Sequence, residues 1–142
     1  MVELDHSFSN DKPADELWPA LLDLERLVPL VQGGTVTEKV DDETVKAEIL
    51  VKMGAMSMKF VGTVEVAEKD EDAHRALMKV KSRESKGSGT ANADVTFELG
   101  DSGGTIHTKA QVTGKAATRG EGTVQVVLDA LINDFTQKLA TL

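Results

Sequence analysis

Cysteine is absent from the 142-residue chain. That excludes a disulfide framework, a thiolate zinc site and a cysteine nucleophile. Tyrosine is absent too, tryptophan occurs once, and aromatics make up only 4% of the sequence. No apolar run approaches the ~20 residues that a membrane-spanning helix needs. The start, MVELDHSFSNDKP, has neither the basic opening nor the apolar stretch of a secretory signal. These features predict a cytoplasmic protein. Positive charge is in short supply, with 16 Lys and Arg against 24 Asp and Glu and a net charge of −8. That balance argues against a nucleic-acid partner, whose affinity rests on neutralised phosphates. It argues equally against docking on anionic lipid by charge alone. The one basic cluster, KVKSRESKG (79–87), reads as the solvated face and end of a strand.

What is present is a chain of single-domain length, long enough to bury a real core. Residues 2–9 alternate, with Val2, Leu4, His6 and Phe8 on one side, as a half-buried strand does. A helix follows: Asn10 or Asp11 can cap it, Pro13 suits its first turn, and Leu17, Leu21, Leu22 and Leu24 supply its buried side. Leu27, Val28, Leu30 and Val31 indicate a second short helix, interrupted at Pro29 and ended by Gly33-Gly34. Residues 35–40, 44–53, 56–68, 73–84, 89–99 and 105–114 then read as six strands separated by turn signals at hairpin spacing. The chain finishes in one long helix over about 121–141. Its apolar stripe runs through Val124, Val127, Leu128, Leu131, Ile132, Phe135 and Leu139. The predicted class is α+β, a curved antiparallel sheet of about seven strands wrapped around the long C-terminal helix, with two short helices after the first strand.

The stretch VKMGAMSMKFVGTV (51–64) gathers three of the five methionines around one glycine. Gly54-Ala55 reads as a type II′ hairpin loop. The register then pairs Met53 with Met56, Val51 with Met58, Ile49 with Phe60, Ala47 with Gly62 and Val45 with Val64, all on one uncharged face. A slip of one residue would bury Lys and Glu, so this register is well specified. The same concave face carries Met78, Val80, Ala91, Ala93, Val95, Ile106, Ala110 and Val112. Many of these side chains are small. Either the helix settles deep into the sheet, or a ligand fills the space, with the methionines near a mouth. On the second alternative, strand phase and helix stripe nominate a lining. It comprises Val51, Met53, Met56, Met58 and Phe60 from the hairpin, and Met78, Val95 and Val112 from later strands. Val124, Leu128, Leu131 and Phe135 come from the long helix, and Leu30 and Val31 sit near the opening.

A catalytic constellation is hard to assemble. His6 is in phase with the apolar face and reads as a hydrogen-bonded core or rim residue. His74 reads as solvated, and His107 faces outward. Glu68 and Glu84 are in the apolar phase but at strand ends, and Glu38 reads as an edge charge. There is no Ser-His-Asp pattern, no H-E-x-x-H and no phosphate-binding glycine loop.

The order of elements, with ELWPALLDLERLVPLVQGG, VKMGAMSMKFVGTVEV and TGKAATRGEGTVQVVLDALINDFTQKL, resembles the CoxG family, named for the G component of carbon monoxide dehydrogenase. That family belongs to the START-like (SRPBCC), helix-grip superfamily, which includes Bet v 1-like proteins. Trp18, Leu21, Leu22 and Asp23 are similar to its first helix. Val28-Pro29 through Gly33-Gly34 is similar to its P-x-(I/L)-P-G segment, although the second proline is replaced. Lys52 to Val64 is similar to its glycine-centred hairpin. The resemblance implies a non-catalytic binder of a hydrophobic molecule, such as a polyprenyl quinone or another lipid, with no covalent or metal cofactor. It implies as partner a molybdenum hydroxylase-type dehydrogenase, which the protein recruits to the membrane or relieves of electrons. A transient contact with the inner face of the cell membrane goes with either role. Many relatives carry a long C-terminal extension; this sequence runs to Leu142. Two alternatives stand beside the carrier: a small polyketide cyclase or dehydratase, and a ligand-free interaction adaptor.

Overall fold

A computed structural model describes residues 1–142. β1 (Val2–Ser9) leads into two short helices, α1 (Ala14–Leu22) and α2 (Leu24–Leu27), and a 3-10 turn at Val28–Leu30. Six strands follow: β2 (Gly34–Asp41), β3 (Thr44–Met53), β4 (Met56–Asp70), β5 (Arg75–Glu84), β6 (Thr90–Gly100) and β7 (Gly103–Val112). A second 3-10 turn at Ala117–Arg119 precedes α3 (Glu121–Leu139). The seven strands form one antiparallel sheet in the order β1-β7-β6-β5-β4-β3-β2. The expected α+β architecture is therefore present, a meander whose concave face is partly covered by α3.

The methionine hairpin has the register that period-two alternation dictates. Met53 opposes Met56, Val51 opposes Met58, and the pairing continues to Val45 and Val64. Gly54 adopts φ +65° while Ala55 does not have positive φ, as a type II′ loop requires.

Three local expectations need correction. Asn10 does not cap α1, whose N-cap position is Pro13 and which has no side-chain cap. Its amide instead turns inward and donates to the Leu139 carbonyl at 2.8 Å, satisfying an orphan carbonyl in the last turn of α3. The second helix is shifted and shorter than expected. Pro29 has no N–H to continue an α-helix, so α2 stops at Leu27 and a 3-10 turn takes over. A bulge between Val66 and Glu68 reverses the phase of β4, which moves Glu68 from the apolar face to solvent.

The interior consists of two clusters rather than one. The larger gathers Trp18, Leu21, Leu27, Phe97, Ile106, Phe135 and Leu139 at the end under α1 and α2. The smaller gathers Val2, Leu4, Met53, Met58, Phe60, Ala116 and Val124 at the methionine end. On the convex face, cross-strand pairs such as Lys59–Glu48 (3.6 Å) and Lys109–Glu3 (3.6 Å) keep the outer surface wet. Exposed pairs of this kind add little stability.

Candidate functional site: an apolar cavity between sheet and helix

Between the two clusters lies a cavity of about 290 Å³. Its floor is the concave phase of β3 to β7, from Ala47 to Val112, and its roof is the inner stripe of α3. The cavity follows from side-chain size. Ala47, Gly62, Ala91, Ala93 and Ala110 form much of the floor, and α3 lies along β1 rather than down the centre of the sheet. Half-buried side chains border it on both sides, Ile49, Val51 and Val64 on β3 and β4 and Ala93, Val95 and Val112 on β6 and β7, with Leu128 and Leu131 on α3. The space is partly open to solvent. Sealed and empty, a volume of this size would cost about 7 kcal/mol at ~24 cal/mol per Å³. That is comparable to the net stability of a whole domain, ~5–15 kcal/mol.

Eleven of the nominated residues border this space: Val31, Val51, Met53, Phe60, Met78, Val95, Val112, Val124, Leu128, Leu131 and Phe135. Three do not. Leu30 packs half-buried against the larger cluster, Met58 is buried in the smaller one, and Met56 packs half-buried against that. The methionine end is also not a mouth. The turn through Ala116 folds across it, with Ala116 in the same cluster and Arg119 beside Gly54. Strand phase assigned these methionines to the correct face. It carried no information about the loop before α3, which covers their tip. Leu24, Leu27, Val80, Val127 and Ile132 also border the cavity outside the nominated set. The apolar stripe of α3 already pointed to Val127 and Ile132.

Of the titratable groups only Glu48 borders the cavity, from the convex phase of β3. His6 is clamped between β1 and α3 by a 2.7 Å hydrogen bond between Nε2 and the Asp129 carboxylate, while its Nδ1 is buried without a partner. His6 does not border the cavity. His107 pairs with Asp5 at 2.6 Å on the outer face, as its phase required. His74 is not freely solvated: it stacks edge-on against Trp18 at 5.5 Å and meets Asp15 at 3.0 Å. Glu84 is buried at the β5–β6 turn, where the Ser88 hydroxyl (2.9 Å) and the Lys86 amide (3.0 Å) donate to it. Burial opposes its ionisation, but the hydrogen bonds from Ser88, Lys86 and Ser85 win and hold its carboxyl below the usual range. Glu38 sits exposed on the edge strand β2, paired with Lys46 at 3.3 Å. No cluster of His, Asp and Glu is arranged to hold a metal ion, and no helix is long and apolar enough to cross a membrane.

A seven-stranded sheet gripping one long helix over an apolar cavity defines a START/Bet v 1-like protein. Solved structures with the same fold include a conserved protein from Geobacillus kaustophilus, with 23% identity and TM-score 0.84 over 99% of this chain and 93% of that one. A START superfamily protein from Mycobacterium smegmatis is similar at 10% identity and TM-score 0.60, over 98% of this chain and 94% of the other. The Zhui aromatase/cyclase of a Streptomyces species gives 10% identity and TM-score 0.58, over 97% and 93%. Comparison with curated proteins finds no match. The family model of CoxG, the G component of carbon monoxide dehydrogenase, matches residues 7–142, and the chain belongs to that family.

Proposed function

We propose that this protein is a non-catalytic carrier of a hydrophobic molecule, held between α3 and the sheet. The observation that carries this reading is an interior whose apolar lining is incompletely covered by the protein's own atoms. Val51, Val95, Val112, Leu128 and Leu131 all border the cavity and all remain half-buried. At about 290 Å³ the space falls just below the ~300–1,000 Å³ typical of ligand pockets. It therefore suits one ring system or a stretch of chain, with any longer tail leaving through the opening.

Membership of the CoxG family supports a role beside a molybdenum-containing carbon monoxide dehydrogenase or related hydroxylase. A polyprenyl quinone such as menaquinone combines an apolar tail with redox chemistry. Carrying one would couple that enzyme to the respiratory chain without a covalent or metal cofactor. The protein would work in the cytoplasm and load at the inner face of the cell membrane. The cyclase reading draws on the likeness to an aromatase/cyclase and on the His6–Asp129 pair. It is the weaker one, because His6 does not border the cavity.

Solvent extraction of the protein purified from its own host, followed by mass spectrometry, tests the carrier. A polyprenyl quinone or other neutral lipid in near-stoichiometric amount is the expected result. An extract without lipid, even after incubation with host membranes, contradicts it.

A further inference from the structure

Polar side chains at the cavity are few, and all but one are occupied or face the other way. Glu48, Thr63 and Asn92 stand in the convex phase of their strands and meet the cavity only from behind the backbone. Glu48 pairs with Lys59, and the Asn92 side-chain oxygen accepts from the Ser82 amide at 3.3 Å. The Ser82 hydroxyl, which does face inward, donates to the Ala91 carbonyl at 2.5 Å. Thr108 remains. It lies at mid-strand on β7, opposite Leu4 on one side and Val95 on the other, in the seam between the two core clusters. It borders the cavity, it is only 5% exposed, and its Oγ1 has no hydrogen-bond partner. A buried hydroxyl without a partner is unfavourable, and valine would fill the same shape without it.

We propose that Thr108 Oγ1 is the polar anchor of the cavity, hydrogen-bonding the oxygen of a neutral lipid that bears a carbonyl or hydroxyl group on an apolar body. This rests on the carrier reading and specifies the ligand class. A hydroxyl can donate to a carbonyl and can exchange hydrogen bonds with an alcohol or phenol. No lysine or arginine borders the cavity. A fatty carboxylate or a phosphate head would therefore enter without a counter-charge, which a low-dielectric interior penalises heavily. A hydrocarbon would fit but leave Thr108 unpaired. The anchor thus selects against both more polar and less polar molecules of the same shape, and it holds the oxygen at mid-cavity beneath α3.

The test is displacement of the neutral fluorophore N-phenylnaphthylamine by three probes of equal chain length: a methyl ketone, an alkane and a fatty acid. Wild type, Thr108→Val and Thr108→Ser are compared. Wild type should bind the ketone about tenfold more tightly than the alkane, the scale of one net hydrogen bond, and the ionised acid most weakly. Thr108→Val should lose the preference for ketone while binding the alkane at least as well. Thr108→Ser should keep it. If Thr108→Val retains the wild-type preference, the anchor is wrong and the carrier reading stands. If wild type binds neither ketone nor alkane, the carrier reading fails and the anchor with it. Retained alkane binding in Thr108→Val also serves as the control for its folding.

Discussion

Gly62 has no side chain because there is no room for one. A Cβ built there would collide with the Lys81 carbonyl and the Ser82 backbone on the adjacent strand. Gly62→Ala should therefore destabilise the protein by about 1–3 kcal/mol, the usual cost of forced overpacking, measurable as a lower urea midpoint with unchanged slope. Glu84 predicts a pH dependence. Its carboxyl titrates below the unfolded value, so its contribution is present above about pH 4.5 and is lost as the pH falls through the lower folded value. Glu84→Gln should lower Tm near neutrality, and the gap to wild type should close on acidification; a gap that stays constant contradicts this role. His6→Gln should cost about 1 kcal/mol through the lost bond to Asp129 and leave lipid binding intact, as a latch between strand and helix implies. Residue fates of this kind were only partly legible in the sequence. The phases of His6 and His107 were readable. That Asn10 would cap α3 rather than α1, or that His74 would lie against Trp18, depends on tertiary contacts between residues far apart in sequence.

At the scale of elements, the sequence was most informative where one face had to be uncharged. The β3–β4 register could be read pair by pair because any slip buries a charge. Element ends were less legible. α3 stops at Leu139, short of the expected 141, and β7 runs Gly103–Val112 rather than 105–114. The bulge beside Val66 left no signal, because inserting a residue changes phase without changing composition. The small residues of the floor were legible as small; whether α3 would fill the space above them was not, since that depends on where the helix lies along β1. This gives a prediction whose sign decides. In a filled core, Ala93→Leu would overpack and destabilise by about 1–3 kcal/mol. Ala93 borders the cavity and is half-buried, so the larger side chain should instead stabilise the empty protein by about 0.5–2 kcal/mol. Thermal or urea unfolding of lipid-free protein reads the difference.

At the scale of the molecule, two core clusters hold the ends of the sheet while the middle is left apolar, roomy and partly open to solvent. The fold is thus densely packed at its ends and loosely packed at its centre, and on the carrier proposal a guest would enter without dismantling the core. A ligand that binds only the folded state should also raise Tm in proportion to the logarithm of its concentration. The most direct measurement is the lipid load per chain after wild type and Ala93→Leu are incubated with vesicles of a polyprenyl quinone in neutral phospholipid, repurified by size exclusion and extracted. Close to one lipid per wild-type chain and almost none for Ala93→Leu is the expected result. Equal loads in the two proteins, or no load in wild type, would contradict it.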